Sequence, residues 1–212
     1  MKTILCYGDS NTWGYNPANG GRIPYHKRWT GLLQNKIGPE FKVIEEGLNG
    51  RTTVWDDPLH GGFKNGRNYL IPCLASHRPI DIVILFLGTN DLKMRFSLSA
   101  SEITSGIRVL VEDISKSNAG MNDKAPKICL VAPPIISNIP DSSRFFEEYE
   151  NSTEKSRKLG DYFNEVAQEY QCDFLDASKV VRVSKMDGIH LDEEGHLELG
   201  NALTKKVENI LK

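Results

Sequence analysis

The sequence predicts an α/β protein with three layers, α/β/α, in which a five-stranded parallel sheet lies between helices as in flavodoxin-like folds. Two observations predict this class. Segments typical of strands and of helices alternate along the chain, and residues 80–87 form its most apolar segment, as in a central strand buried on both faces. The chain has 212 residues, 39% of them hydrophobic, so we expect one well-buried domain over residues 1–212.

The first half of the chain is predicted to contain two strands and one helix. Residues 3–7 are short, apolar and β-prone, and Gly8 ends this first strand. A helix is expected near 29–36 and a second strand over 41–46. The following stretch, 51–79, contains Gly-Gly and Asn-Gly pairs and prolines, so it is expected to be mostly loop with short helical turns.

The second half continues the alternation after the central strand at 80–87. Its expected elements are a helix at 99–116, a strand at 127–131, a long helix at 145–170, a strand at 173–176 and a helix at 192–211. Repeated β-α alternation favours a parallel sheet, because each helix crosses over between two strands that run in the same direction.

Ser10 follows the first strand in the segment Gly8-Asp9-Ser10-Asn11. Ligands of open parallel sheets bind at the carboxyl ends of the strands, so Ser10 is a candidate nucleophile. The alternative is that Ser10 only caps the next helix, as Ser commonly does.

Asp187 and His190 lie three residues apart between the last predicted strand and the last helix. A serine hydroxyl needs a base that takes its proton, and the base needs a third group that orients it. His190 can be that base and Asp187 its partner. A D-x-x-H string alone is weak evidence, because a single histidine is usually structural or solvated.

Two further strand ends offer hydrogen-bond donors. The central strand runs into Gly88-Thr89-Asn90-Asp91, and the Asn90 amide can point at a developing oxyanion; Gly50, after the second strand, can offer a backbone N–H. Both residues also suit simple turns, because Gly and Asn dominate them.

Together these segments resemble the SGNH (GDSL) hydrolases over nearly the whole chain. The resemblance is carried by Gly8-Asp9-Ser10, Gly50, Gly88-Thr89-Asn90-Asp91 and Asp187-x-x-His190. It implies Ser10 as nucleophile, His190 as base and Asp187 as its orienter. It also implies an oxyanion hole formed by the Ser10 and Gly50 N–H groups and the Asn90 side chain.

Further segments are similar to the bacterial arylesterase and acyltransferase branch of that family. They are Thr12-Trp13-Gly14, Arg28-Trp29-Thr30-Gly31, Val43 to Leu48, Arg51-Thr52-Thr53 and Asp187-Gly188-Ile189-His190. This branch implies short acyl esters as substrates and acyl transfer to alcohols.

The bulky residues near the nucleophile are expected to narrow the acyl site. Asp9, Trp13 and Tyr15 are the candidate substrate-binding residues, although aromatic side chains more often serve packing. The long segments 51–79 and 133–144 are rich in apolar residues, and an exposed apolar patch favours association, so we expect a homo-oligomer.

Charge and cysteine content limit the partners. The formal net charge of −2 gives no reason to expect nucleic acid or an anionic membrane as partner, and no apolar run approaches the ~20 residues of a membrane span. The four cysteines, at 6, 73, 129 and 172, form no C-x-x-C pair, so we expect reduced thiols in a cytoplasmic protein. Met1-Lys2-Thr3 leads directly into a strand instead of a signal peptide, which disfavours secretion. The histidines show no ligand spacing, and no metal or cofactor is expected.

Three functions therefore compete. The leading one is a serine esterase that forms an acyl-serine intermediate with a small-molecule acyl ester. The second is a carbohydrate acetylesterase or thioesterase with the same chemistry. The third is a noncatalytic ligand-binding module; against a flavin-binding module, residues 11–15 are too bulky for a phosphate loop.

Overall fold

A computed structural model describes residues 1–137 and 139–211. Its single sheet has five parallel strands in the order β2-β1-β3-β4-β5. The strands are β1 (Lys2–Gly8), β2 (Phe41–Gly47), β3 (Ile82–Phe86), β4 (Lys127–Ala132) and β5 (Asp173–Asp176). The predicted five-stranded parallel sheet and its flanking helices are confirmed, because each strand was a short β-prone run ended by glycine, proline or a polar residue.

In the part of the chain that the structure describes, six α-helices flank the sheet. They are α1 (Ser10–Trp13), α2 (Trp29–Ile37), α3 (Gly66–His77), α4 (Ala100–Ser115), α5 (Ser152–Glu169) and α6 (Glu193–Ile210). Within the described residues 1–137 and 139–211, no helix is both long and apolar enough to cross a membrane.

Two sequence expectations are wrong in the helices. The stretch 51–79 contains the twelve-residue α3, whose amino end is capped by the Asn65 side chain accepting from the Arg67 N–H at 2.9 Å. Pro72 and the glycines nearby hid this helix, because both residue types normally break helices. The helix expected at 145–170 begins only at Ser152, because Asn151 has a left-handed backbone (φ 58°) that interrupts it. The long loop 133–144 is described except for residue 138.

The two faces of the sheet carry separate apolar cores. Ile4 and Cys6 of β1 pack with α2 and α6 on one face, around Trp29. Leu5 and Tyr7 face the other side, towards α3, α4 and α5. Alternate residues of a strand point to opposite faces, so a fully apolar strand is what a sheet covered on both sides requires. All five carboxyl ends therefore meet at one edge between the helix layers.

Candidate active site

Ser10 lies at the first residue of α1, directly after β1. The Asp9 side chain accepts from the Asn11 N–H at 2.9 Å and so caps this one-turn helix. The Trp29 indole N–H donates to the Asn11 carbonyl at 3.0 Å, which ties α1 to α2. Ser10 is buried, yet it lines a cavity at the carboxyl edge of the sheet. Its position is therefore fixed by a cap, which favours reproducible placement of the hydroxyl.

Asp187 and His190 lie in the loop between β5 and α6. One Asp187 oxygen accepts from the Ile189 and His190 N–H groups at 3.0 and 2.9 Å, which closes the loop into a tight turn. Gly188 is required in this turn: its φ is 71°, and a Cβ there would lie 2.5 Å from the Ser137 carbonyl oxygen.

A second contact aligns this loop with the serine. The Leu191 N–H donates to the Asn11 side-chain oxygen at 3.0 Å, joining two segments that are 180 residues apart in sequence. The two ends of the chain are thus bound to each other directly beside Ser10.

Ser10, His190 and Asp187 form a continuous hydrogen-bonded chain. The distance from Ser10 Oγ to His190 Nε2 is 2.9 Å, and the distance from His190 Nδ1 to Asp187 Oδ2 is 2.6 Å. Burial by itself would raise the pKa of Asp187, but the hydrogen bond and charge of His190 and two backbone N–H groups outweigh it and hold that pKa below its usual range. An ionised Asp187 can orient the imidazole so that Nε2 receives the serine proton.

The expected donor residues face the same space. Ser10, Gly50 and Asn90 all line one cavity of about 310 Å³. Asn90 is held at both ends of its amide, because Nδ2 donates to the Arg51 carbonyl at 3.1 Å and Oδ1 accepts from the Tyr149 hydroxyl at 3.3 Å. Gly50 has a φ of 81°, a backbone conformation that favours glycine. The three candidate oxyanion donors are therefore brought together by three different strand ends.

Aromatic rings form part of the cavity wall. The ring centroids of Tyr15 and Phe145 lie 4.2 and 5.5 Å from that of His190. The structure does not bring the other two candidate substrate-binding residues into this wall. Asp9 is buried under α1 as its cap, and the Trp13 ring packs against the Arg22 guanidinium at 5.0 Å.

Several buried groups that sequence reasoning missed support the site. Asp91 accepts from the Thr53 N–H at 3.0 Å and from its hydroxyl at 2.5 Å, which joins the end of β3 to the segment after β2. The Arg51 guanidinium donates to the Gly8 carbonyl at 2.8 Å and also to that of Glu46. These contacts give a physical role to the Arg51-Thr52-Thr53 segment, which the sequence indicates only as part of the family resemblance.

Burial dominates the electrostatics beneath the site. It raises the pKa of Asp9 to about 7 and that of Asp91 to about 6, against the partial opposition of their hydrogen bonds. Tyr149, which was expected inside a long helix, is also buried, and burial raises the pKa of its hydroxyl well above the usual value. It therefore stays a neutral donor to Asn90 at physiological pH.

Comparison with known proteins shows where this arrangement occurs. The profile of the GDSL-like Lipase/Acylhydrolase family matches residues 6–197. A native aryl esterase of M. smegmatis is 39% identical with a TM-score of 0.94, and Est24, a carbohydrate acetylesterase from Sinorhizobium meliloti, is 38% identical with the same score. A putative arylesterase from Agrobacterium tumefaciens is 36% identical with a TM-score of 0.90. Each alignment covers 99% of this chain and 100% of the other. No match was found among curated protein sequences.

Fold, site and comparisons define the class of protein: it is an ester hydrolase built on a parallel α/β sheet. Within that class, the chain belongs to the GDSL-like lipase/acylhydrolase family, and the resemblance to its arylesterase branch is confirmed.

Proposed function

We propose that the protein is a serine esterase that cleaves short acyl esters through an acyl-serine intermediate. The observation that carries the proposal is the hydrogen-bonded chain from Ser10 through His190 to Asp187, with 2.9 and 2.6 Å links, beside a cavity that Asn90 and Gly50 also line. A nucleophile, an oriented base and oxyanion donors around one cavity are the parts that acyl transfer requires.

The reaction follows from these positions. Ser10 Oγ attacks the ester carbonyl carbon while His190 Nε2 takes the hydroxyl proton, and Asp187 stabilises the resulting imidazolium. The carbonyl oxygen becomes an oxyanion that Asn90 and the backbone N–H groups of Ser10 and Gly50 stabilise. Collapse of this tetrahedral intermediate breaks the bond between the carbonyl carbon and the alcohol oxygen, and that oxygen receives the proton from His190. Water then attacks the acyl-serine with His190 as base, releasing the acid and restoring Ser10.

The cavity favours small acyl groups. Its volume is about 310 Å³, and Tyr15 and Phe145 stand close to the His190 ring, which leaves little room for a long chain. A panel of p-nitrophenyl esters tests this: acetate and butyrate should be cleaved much faster than dodecanoate. A preference for dodecanoate would refute the short-acyl assignment.

Transfer to alcohols is part of the same proposal. Any nucleophile that reaches the acyl-serine with His190 as base can resolve it. Hydrolysis in the presence of ethanol should therefore yield ethyl esters as well as free acid. Acid as the sole product at high ethanol concentration would rule out the transfer activity.

A carbohydrate acetylesterase is the second candidate. The cavity is also lined by polar side chains that suit sugar hydroxyls, namely Asn49, His60, Lys64, Lys93, Arg144 and Glu148. If sugars are the substrates, Glu148→Gln should lower kcat/KM for acetylated sugars more than for phenyl acetate. An equal effect on both would favour the simple arylesterase function.

We also propose that the chain is one domain, assembles as a homo-oligomer and works in a reducing, cytoplasmic environment. Leu59, Phe63 and Ile71 are 73%, 64% and 50% exposed, which supports association through the segment after β2. All four cysteines are free, which suits a reducing compartment. Sedimentation as a 23.8 kDa monomer at micromolar concentration would contradict the oligomer.

A further inference from the structure

A second cluster of chemically reactive side chains lies away from the active-site cavity, between β2 and α3. It consists of Glu46 near the end of β2 and of Cys73 and His77 on α3, and is called here the β2–α3 cluster. None of its members lines the cavity of Ser10. The proposed mechanism of ester cleavage therefore does not use these three residues.

The helix geometry explains how the cluster forms. Cys73 and His77 are four residues apart, so they lie on the same face of α3, one turn from each other. Because α3 packs beside the sheet, this face meets the side chain of Glu46, and the His77 Nε2 to Glu46 Oε1 distance is 2.8 Å. One ligand atom from each of the three residues lies within 4.8 Å of the other two.

We propose that the β2–α3 cluster binds one zinc ion through Cys73 Sγ, a His77 ring nitrogen and a Glu46 carboxylate oxygen, with water as the fourth ligand. Thiolate, imidazole and carboxylate are the three side-chain ligands of zinc, and four-coordinate sites are its usual geometry. The mixed sulfur, nitrogen and oxygen set disfavours magnesium and calcium, which prefer oxygen alone.

Zinc binding displaces one proton from the cluster. Without metal, burial and the charge of Glu46 raise the pKa of Cys73 to about 12, against the opposite effect of Arg51, so the group is a thiol. Coordination forms the zinc–sulfur bond and releases that proton to solvent. The ion then faces one thiolate and one carboxylate, and Arg51 is the cation nearby. The side chains of His77 and Glu46 are 26% and 20% exposed, which gives the ion a path from solvent.

The ion would join an edge strand to a helix. β2 is the last strand on one side of the sheet, and residues 48–65 connect it to α3. A zinc ion bound on both elements closes this connection, so the metal should stabilise the folded chain. A zinc site here differs from the sequence-based expectation of no metal. The residues of α3 are predicted as loop from the sequence, so the four-residue spacing of Cys73 and His77 does not stand out there as a ligand pair.

The test uses the full-length protein, first treated with a chelator and then titrated with zinc chloride. We expect one zinc per chain by competition with a chromophoric chelator. At a hundredfold excess over the dissociation constant, Tm should rise by about 5–10 °C. Cobalt substitution should give a thiolate-to-cobalt charge-transfer band. Absence of zinc binding at micromolar concentrations would overturn the proposal.

Variants locate the site. Cys73→Ser and His77→Gln should each lose the Tm response and weaken binding by at least about tenfold, because even the loss of a group that orients a ligand costs about 10- to 100-fold in metal affinity. Cys172→Ser and His26→Gln are the matched controls and should bind as the unaltered protein does. If Cys73→Ser does not fold, His77→Gln decides alone, because His77 is partly exposed at the end of α3. Binding that survives His77→Gln and is lost in His190→Ala would place the ion at the active site and refute the cluster.

Discussion

The protein contains two clusters in which a histidine lies beside a carboxylate and a potential nucleophile, and the two histidines differ in their hydrogen bonds. In the first, His190 uses both ring nitrogens, Nδ1 towards Asp187 and Nε2 towards Ser10. In the β2–α3 cluster, His77 Nε2 likewise lies on a carboxylate, that of Glu46, but among the described residues no hydrogen bond joins the other His77 nitrogen to the Cys73 thiol. A base must hold its orienter on one nitrogen and its nucleophile on the other, so only the first cluster has the contacts that a proton relay requires.

The clusters differ in surroundings as well. The first opens onto a cavity that also contains Gly50 and Asn90, whereas no member of the β2–α3 cluster lines that cavity. Three similar residue types are therefore proposed to serve covalent catalysis at one place and metal coordination at the other. The difference lies in the contacts of the imidazole and not in the residue types.

The largest effect is expected from variants that remove the proposed nucleophile or its base. Ser10→Ala and His190→Ala should each lower turnover on the order of 10⁶-fold with the fold intact, because nucleophile and base act as a unit. Hydrolysis of p-nitrophenyl acetate and circular dichroism provide the measurements. Ser101→Ala and His26→Ala, at exposed positions, are the matched controls. Substantial activity in either active-site variant would sink the assignment.

The carboxylates of Asp187 and Glu46 can each be replaced by an amide, which tests whether the two clusters differ in function. Asp187→Asn should reduce turnover about 10⁴-fold, because the amide favours the wrong imidazole tautomer. Glu46→Gln changes a carboxylate that is also hydrogen-bonded to a histidine, yet it should alter turnover by less than about tenfold, because His77 faces no substrate. Equal losses of turnover in the two variants would show that the hydrogen bonds of the histidines do not set the two clusters apart.

The buried acid behind the nucleophile gives a test by pH. Burial raises the pKa of Asp9 from 3.8 to about 7, so the folded protein binds this proton more tightly than the unfolded chain. Its contribution to stability is therefore present below pH 4 and is lost as the pH rises towards 7.

Asp9→Asn removes this titration. The free energy of unfolding of the variant, relative to the unaltered protein, should increase by up to about 4 kcal/mol between pH 4 and pH 8. Urea unfolding at several pH values measures it, with the exposed Asp161→Asn as control. A constant difference across that range would contradict the raised pKa.

Loss of the oxyanion donor should cost less than loss of the relay. Asn90→Ala should lower kcat by about 10²- to 10³-fold with little change in KM, because the interaction strengthens in the transition state. Asn118→Ala, at an exposed position, serves as control. Steady-state kinetics that show an unchanged kcat would exclude Asn90 from this role.

The smallest expected effect concerns Tyr149, which positions the Asn90 amide. Removal of one hydrogen bond of about 1 kcal/mol should reduce kcat roughly fivefold in Tyr149→Phe. The effect should vanish when Asn90 is already alanine, whereas a purely structural role would leave it. Tyr162→Phe is the matched control, and additive effects in the double variant would refute the coupling.

Local sequence signals were sufficient for much of this molecule. The five strands followed from short apolar runs that end in glycine, proline or polar residues, and β5 was predicted over the same residues that the structure shows. Ser10, Gly50, Asn90, Asp187 and His190 could be predicted as candidate site residues because each motif follows or precedes a strand or helix, and parallel topology brings such ends to one edge.

Tertiary contacts decided the remainder. α3 forms although it contains Pro72, because its buried face packs in the core of one side of the sheet. Two contacts depend on residues that lie far apart in the chain: the hydrogen bond from Tyr149 to Asn90 and the pairing of Glu46 with His77. Propensity and periodicity report on neighbours within a few residues. Contacts across 30 to 180 positions are determined only when the whole chain packs, because their free energy comes from burial that no single segment achieves.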